Sequence, residues 1–182
     1  MRIQIHLFTL KLLLATALLV CSCGDSHTGS GDADMARADS LVVGDRLPQF
    51  SVKMSDGTTV STADLMGRPS VVMFFSVGCI DCRHELPQLQ RLYDMQPGVP
   101  IVLIARKCTD EDIRPFWEFN GFTMPYSPQA DRRVYSLFAP SRIPRIYVSD
   151  AATVIHYAYA DDVLPTAEDL LDHINQLKNI SQ

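Results

Sequence analysis

The strongest constraint on the fold is a buried-strand pattern that runs directly into a pair of cysteines. Residues 70–76 (SVVMFFS) form a continuous apolar run rich in β-branched and aromatic side chains, which predicts a strand buried on both faces. Cys79 and Cys82 follow, and leucines at helical spacing predict a helix from about Cys79 to Asp94. A second apolar run over 99–105 predicts another strand. A strand–helix–strand unit of this kind predicts a parallel strand pair with a right-handed crossover.

The other patterns add elements on both sides of this unit. Before it, the Asp56-Gly57 turn signal predicts a β-hairpin, and residues 61–65 predict a short helical turn. After it, the sequence predicts a helix, a short helical segment, two strands and a last helix, over 110–120, 131–138, 145–149, 153–159 and 166–178. The expected class is α/β, with a mixed central sheet, helices on both faces and an N-terminal β-hairpin.

Residues 1–22 are typical of an export signal, with basic residues, an uninterrupted apolar stretch over 12–20 and a small-residue exit. Nine apolar residues rise only about 14 Å as a helix, so a membrane-spanning helix is not expected. Cysteine at the exit resembles a bacterial lipoprotein leader. Small Ser22 makes Cys23 the expected lipid-anchor residue, with Cys21 as the alternative. A plain secretory leader is the competing interpretation.

Composition divides the remainder into a tether and one folded domain. Residues 23–40 consist largely of Gly, Ser, Asp and Ala without apolar periodicity, which predicts a disordered tether. Residues 41–182 are long enough to bury one core and are predicted to form the domain. The formal net charge is −5, and an acidic surface argues against nucleic acid as a partner.

The cysteine pair predicts redox chemistry. Two cysteines three positions apart at a helix start lie on one face, close enough to form a Cys79–Cys82 disulfide. Cys79 is at the helix N-terminus, where unpaired N–H groups and the helix dipole stabilise a thiolate, the attacking species in disulfide exchange. Cys82, one turn deeper, would resolve the mixed disulfide. The third cysteine of this region, Cys108, is predicted to be a buried structural thiol.

Two other interpretations of the pair remain open. A structural zinc site needs four ligands, and no second cysteine pair is present, so no metal or other cofactor is expected. A purely structural disulfide is the other alternative, but it would close a very small loop and add little stability.

Three segments, in this order, resemble the TlpA/ResA-like branch of the thioredoxin superfamily, which consists of extracytoplasmic thiol–disulfide oxidoreductases. They are the opening segment VGDRLPQF over 43–50, the signature C-x-x-C-x-x-E-x-P over 79–87, and the segment SRIPRIYV over 141–148. The resemblance implies a thioredoxin fold for the domain. It also implies thiol–disulfide oxidoreductase activity outside the cytoplasm.

The resemblance further implies a role for each site residue. Cys79 would be the nucleophile, Cys82 the resolving thiol, Glu85 the acid beside them and Pro144 a cis-proline that faces them. Glu85 falls three positions after Cys82 on the same helical face, where a partly buried carboxylate could relay a proton. A solvated helix residue is the alternative for Glu85.

Two further residues are implied in substrate binding. The cis-proline would expose the backbone of Ile143 for pairing with a substrate chain, and Gly78 would leave an open approach to Cys79. This sequence departs from the family pattern at Gly78, where Trp is usual, and at Asp81, where Pro is usual. These departures affect the redox potential and the choice of partner.

The implied partners are protein disulfides or dithiols, together with a membrane thiol protein that donates or accepts electrons. The implied location is the cell envelope, lipid-anchored and facing the periplasm or exterior. One alternative is a peroxiredoxin-like thiol peroxidase, which needs proline and threonine ahead of the attacking cysteine, whereas residues 75–78 contain no proline. The other is a non-catalytic metal-handling or adaptor lipoprotein with the same fold.

Overall fold

The computed structural model describes residues 39–160 and 163–180. The predicted signal peptide (1–22) and both candidate anchor residues, Cys21 and Cys23, lie outside the described residues, as does the predicted tether up to residue 38. Within the described part, no helix has the length and apolar character needed to cross a membrane.

The elements follow the order that the sequence predicts, with one additional strand. The strands are β1 (Ser51–Lys53), β2 (Thr59–Ser61), β3 (Ser70–Phe75), β4 (Ile101–Ala105), β5 (Tyr126–Ser127), β6 (Arg145–Ser149) and β7 (Ile155–Ala160). The helices are α1 (Ile80–Met95), α2 (Asp110–Asn120), α3 (Arg133–Ser136) and α4 (Ala167–Ile180), with a 3-10 helix at Thr62–Leu65.

The main sheet has the strand order β5-β4-β3-β6-β7. β3 is parallel to β4, and β4 is parallel to β5, whereas β6 is antiparallel to both β3 and β7. β1 and β2 form a separate antiparallel hairpin. The mixed central sheet and the N-terminal hairpin are confirmed.

β3 is the centre of the core. Its hydrophobic residues, from Val71 to Phe75, are fully buried, and the Phe74 ring lies 4.6 Å from the Phe138 ring and 5.4 Å from the Tyr135 ring, measured between centroids. Because β3, β4 and β5 are parallel and β6 runs the other way, the residues after β3, β4 and β5 meet those before β6 at one edge of the sheet. We call it the site edge.

Several predicted elements are shorter than the sequence pattern indicates; β4, for example, begins at Ile101 rather than at 99. β7 begins at Ile155 rather than at 153 because Thr153 has a φ of 63° and donates its N–H to Asp150 O, so the turn continues through it. α3 covers only Arg133–Ser136 of the predicted 131–138 segment. Its start is delayed because the Asp131 carboxylate accepts the N–H of Arg133 in a turn.

Gly121 ends α2 in a left-handed conformation, with φ of 66°. We expect Gly121→Ala to lower the free energy of unfolding by about 1 kcal/mol, because a Cβ disfavours this conformation. Gly98→Ala is the matched control, since a Cβ at either glycine meets no atom within 4 Å and Gly98 has no positive φ. Denaturant unfolding of both variants measures the difference. Equal losses would contradict the conformational explanation.

Candidate active site

A tight turn carries the chain from β3 to the first cysteine. Ser76 O accepts the N–H of Cys79 at 3.1 Å, and Ser76 Oγ accepts the N–H of Gly78 at 3.3 Å. Cys79 keeps an extended backbone, with φ of −94°, and is the N-cap residue of α1. The helix therefore begins one residue later than predicted, and Cys79 lies at its N-terminal opening.

A hydrogen bond joins the sulfur of the first cysteine to the backbone of the second. Cys79 Sγ accepts the N–H of Cys82 at 3.3 Å, the kind of bond that stabilises a negative charge on sulfur. Cys79 is half-buried, whereas Cys82 is fully buried, and both are free thiols in this structure. The outer sulfur can therefore meet another molecule, while the inner one is shielded from it.

Cys82 is held in its protonated form. Burial raises the pKa of the Cys82 thiol well above its ordinary value, and the hydrogen bond with Cys79 adds to the increase. A hydrogen bond from the backbone of Ser76 and the positive charge of Arg106 act in the opposite direction. Removal of the Cys82 proton thus requires a nearby acceptor.

Glu85 is the buried candidate for that acceptor, three positions after Cys82 on α1. Its side chain is only 3% exposed, and its Oε1 has no hydrogen-bond partner among the described residues. Burial raises the pKa of the Glu85 carboxyl to about 8. A carboxyl with such a pKa can both accept and donate a proton near neutral pH. The solvated alternative for Glu85 is wrong, since the side chain is buried one helical turn after Cys82.

The loop before β6 faces the first cysteine. The Ile143–Pro144 peptide bond is cis, and the Cys79 thiol donates to Ile143 O at 3.5 Å. Both loop residues are buried, and the Tyr135 hydroxyl holds the loop by donating to Arg142 O. The structure therefore brings Cys79, Cys82 and the 143–144 loop together at the site edge. Gly78 is exposed beside them.

Two residues near the pair, Arg106 and Cys108, were not predicted as site residues. Arg106 follows β4 and donates its N–H to Phe75 O at 2.8 Å, which places it next to the active-site turn. Cys108 Sγ lies 3.2 Å from Ser76 Oγ and is buried, so the third thiol supports the same turn. The signal for both was present, because the residues that follow adjacent parallel strands meet at one edge.

Among residues 39–160 and 163–180, no group of three or more His, Cys, Asp or Glu side chains is arranged to hold a metal ion.

Comparison with known proteins identifies the family of this domain. The family model described as AhpC/TSA matches residues 43–158, which is more than half of the chain. The chain belongs to the AhpC/TSA family. Among its relatives is "Thiol-disulfide oxidoreductase ResA" of Oceanobacillus iheyensis, 29% identical over 111 residues, which are 58% of each chain. The match thus spans little more than half the length of that relative.

Solved structures support the fold of this AhpC/TSA-family chain. A putative protein disulfide isomerase from Bacteroides thetaiotaomicron superimposes with a TM-score of 0.67 at 20% identity, covering 76% of this chain and 89% of that one. The thioredoxin domain of a thiol-disulfide oxidoreductase from Bacteroides vulgatus gives a TM-score of 0.63 at 23% identity, covering 79% and 100%. The thioredoxin fold is confirmed, and the resemblance to the ResA/TlpA-like branch is confirmed with it.

Proposed function

We propose that this protein is a thiol–disulfide oxidoreductase that exchanges disulfides with protein substrates through Cys79 and Cys82. The observation that carries the proposal is the position of Cys79 Sγ, which accepts a helix N–H from Cys82 and lies 3.5 Å from the carbonyl oxygen of Ile143. A nucleophilic sulfur, a shielded resolving thiol and an exposed approach are the parts that disulfide exchange requires.

In the first step, the Cys79 thiolate attacks one sulfur of a substrate disulfide. A Cys79–substrate disulfide forms, the substrate S–S bond breaks, and the second substrate sulfur leaves as a thiolate that takes a proton. The N-terminal opening of α1 stabilises the attacking thiolate through its N–H groups. The half-buried position of Cys79 leaves one side of its sulfur accessible.

In the second step, Cys82 attacks Cys79 Sγ in the mixed disulfide. Glu85 in its ionised form accepts the Cys82 proton, and the Cys79–Cys82 disulfide forms as the Cys79–substrate bond breaks. The released substrate sulfur takes a proton, so the substrate leaves as a dithiol. The protein pair loses two electrons and the substrate gains them. Because burial raises the pKa of Glu85 to about 8, its carboxylate is a stronger base than an exposed one, and the transferred proton leaves the buried carboxyl neutral.

The substrate chain would lie along the 143–144 loop. An extended segment beside Ile143 can form backbone hydrogen bonds of the kind that add a strand to an edge. Pro144 has no backbone N–H to compete with them. Gly78 has no side chain to block the approach to Cys79.

We further propose an extracytoplasmic location, with residues 1–22 as signal peptide, Cys23 or alternatively Cys21 as lipid anchor, residues 23–40 as tether and residues 41–182 as the functional domain. The leader pattern supports this location, as does the name of the ResA relative. A membrane thiol protein would restore the reduced pair after each cycle. The reverse, oxidising direction uses the same chemistry, and the reduction potential of the pair decides between them.

The proposal predicts a trapped intermediate. In Cys82→Ala the second step is blocked, so we expect mixed disulfides between Cys79 and protein substrates to accumulate after exposure of cell-envelope extracts to the variant. They should be visible as larger species on non-reducing gels and should disappear on reduction. The double variant Cys79→Ala/Cys82→Ala is the control. Absence of mixed disulfides under both reducing and oxidising conditions would contradict the proposal.

Two direct assays separate the alternatives. A peroxiredoxin-like peroxidase would consume hydrogen peroxide with a thiol reductant at a rate that depends on Cys79, whereas we expect no such consumption above the background. A metal-handling or adaptor protein would bind copper(I) or zinc stoichiometrically in the reduced state, or would show no redox cycling.

A further inference from the structure

The site edge is rich in cationic side chains, although the whole chain has a formal net charge of −5. Five cationic side chains surround the active-site turn and the cis-proline loop: Arg83, Arg106, Lys107, Arg132 and Arg145. We call them the basic rim.

The residues of the basic rim lie in four separate segments of the chain. Arg83 lies in the first turn of α1, and Arg106 and Lys107 directly follow β4. Arg132 precedes α3, and the N–H of Lys107 bonds to Asp131 O next to it at 3.1 Å. Arg145 is the first residue of β6, directly after Pro144.

The cations of the basic rim bind ring faces and carbonyl oxygens. The guanidinium carbons of Arg106 and Arg132 lie 5.0 and 5.4 Å from the centroid of the Tyr135 ring. The Arg145 side chain donates to Ser141 O at 3.1 Å. Such contacts hold an arginine in position but leave its positive charge uncompensated.

Carboxylates offset only part of this charge in the described part of the chain. The first turn of α2, shortly after Lys107, carries Asp110, Glu111 and Asp112, of which Asp110 is paired with Arg114 and Asp112 accepts the N–H and hydroxyl of Thr109. The ion pairs recorded among the described residues do not involve the basic rim. Asp131, the carboxylate beside Arg132, is paired with Arg133 instead. Asp81 is exposed in the first turn of α1 and opposes the positive field. Asp161 and Asp162 follow β7 and lie outside the described residues.

A groove next to Cys79 provides a place for a flanking side chain. It has a volume of about 290 Å³ and lies between the start of α1 and the end of α2. Its lining consists of Ile80, Arg83, His84, Phe116 and Asn120, which include no carboxylate. Arg83 covers the Phe116 ring, with its guanidinium carbon 5.2 Å from the centroid. The groove thus combines the apolar side chains of Ile80 and Phe116 with one fixed cation, Arg83.

We propose that the substrate segment recognised at this site is acidic, with Asp or Glu side chains flanking the reactive cysteine. This inference rests on the proposed function and specifies its substrate class. An acidic segment would be drawn to the site edge by the basic rim, and its carboxylates would meet Arg83 on one side of Cys79 and Lys107 on the other. Attraction of this kind acts mainly on the rate of association and decreases with salt.

Three peptides of equal length test the inference. Each carries one cysteine as a 2-thiopyridyl disulfide, flanked by Asp and Glu, by Ser and Gln, or by Lys, and release of pyridine-2-thione is followed by absorbance. At low ionic strength we expect kcat/KM for the acidic peptide to exceed that for the basic peptide by about 10-fold, and the ratio to fall to about 2-fold in 0.5 M salt. A small neutral disulfide, reduced in parallel, reports the exchange chemistry itself.

Charge-neutralising variants locate the effect. We expect Lys107→Gln and Arg83→Gln each to lower the acidic-to-basic ratio by about 3-fold at low salt. Lys178→Gln is the matched control, because Lys178 bonds to Gln96 at the far end of α1, about 24 Å from its start, and should leave the ratio unchanged. Equal rates for the three peptides, or a ratio insensitive to salt, would overturn the inference. Failure to reduce both the peptides and the small disulfide would instead overturn the proposed function.

Discussion

Replacing Cys79 with serine is expected to lower the rate of thiol–disulfide exchange by at least about 1,000-fold. The hydroxyl of serine would occupy the same position at the N-terminus of α1, so the geometry of the turn is retained. A serine hydroxyl, however, is not ionised near neutral pH and cannot form a disulfide. The measurement is the rate of reduction of a protein disulfide by the reduced variant, compared with that by the parent protein.

The matched control for this substitution is Cys108→Ser. Cys108 is also a free thiol of the described region, but it is buried and contacts Ser76 Oγ rather than the site surface. A serine there can keep a polar contact with Ser76, so we expect the exchange rate to stay within about 3-fold of the parent value. A large loss in Cys108→Ser together with activity in Cys79→Ser would show that the attacking sulfur has been wrongly assigned.

Replacing Glu85 with glutamine is expected to change how stability depends on pH. Because burial raises the pKa of Glu85 from 4.5 to about 8, the folded chain keeps a proton on this carboxyl over a pH range in which the unfolded chain loses it. The free energy of unfolding therefore falls as pH increases through this range, by up to about 1.4 kcal/mol per pH unit. Glutamine stays uncharged at every pH and removes this dependence.

The expected result is a larger loss of unfolding free energy between pH 5 and pH 8 in the parent protein than in Glu85→Gln. The parent protein should lose about 3 kcal/mol more of its unfolding free energy between pH 5 and pH 8 than Glu85→Gln loses over the same interval. Denaturant unfolding of the reduced proteins at both pH values measures it. Glu118→Gln, in which an exposed carboxylate is replaced, should follow the parent protein. If Glu85→Gln also follows the parent protein, the pKa of the carboxyl is not raised in the folded state, and its carboxylate is too weak a base to take the proton of Cys82 efficiently.

The sequence predicted those elements whose signals are local. The bounds of α2 match the prediction at both ends, because Thr109 and acidic residues start the helix and Gly121 ends it within one short stretch. β6 also matches at both ends, at Arg145 and Ser149. The position of Cys79 at a helix start was predictable to within one residue for the same reason, since the strand pattern and the C-x-x-C spacing adjoin each other.

What depends on distant pairing was not predicted. β5 has only two residues, Tyr126 and Ser127, and becomes a strand because it pairs with Leu103 and Ile104 of β4. The contact of two of the site cations with a single ring was missed for a similar reason. Arg106 and Arg132 meet at the ring of Tyr135, and nothing in their own surroundings along the chain indicates that contact.

For Glu85, the sequence predicted the position on the helix but not the burial of the side chain. Helical spacing put Glu85 on the same face as Cys82, but spacing alone does not say whether other elements cover that face. The structure shows that they do, since the side chain is almost completely enclosed. The pH dependence expected of this protein therefore follows from tertiary packing, which the local sequence does not encode.

The described chain enters and leaves the domain at opposite ends of α1. Ser40 and Val43 border the same surface cavity as Arg145 and Ala160, so the entering segment lies at the edge that carries the reactive sulfur. At the other end, Lys178, near the close of α4, bonds to Gln96 just past α1. Immobilisation or fusion through the C-terminal side is therefore the arrangement that leaves Cys79 unobstructed. A bulky partner joined directly to Leu41, without a tether, would lie at the site edge.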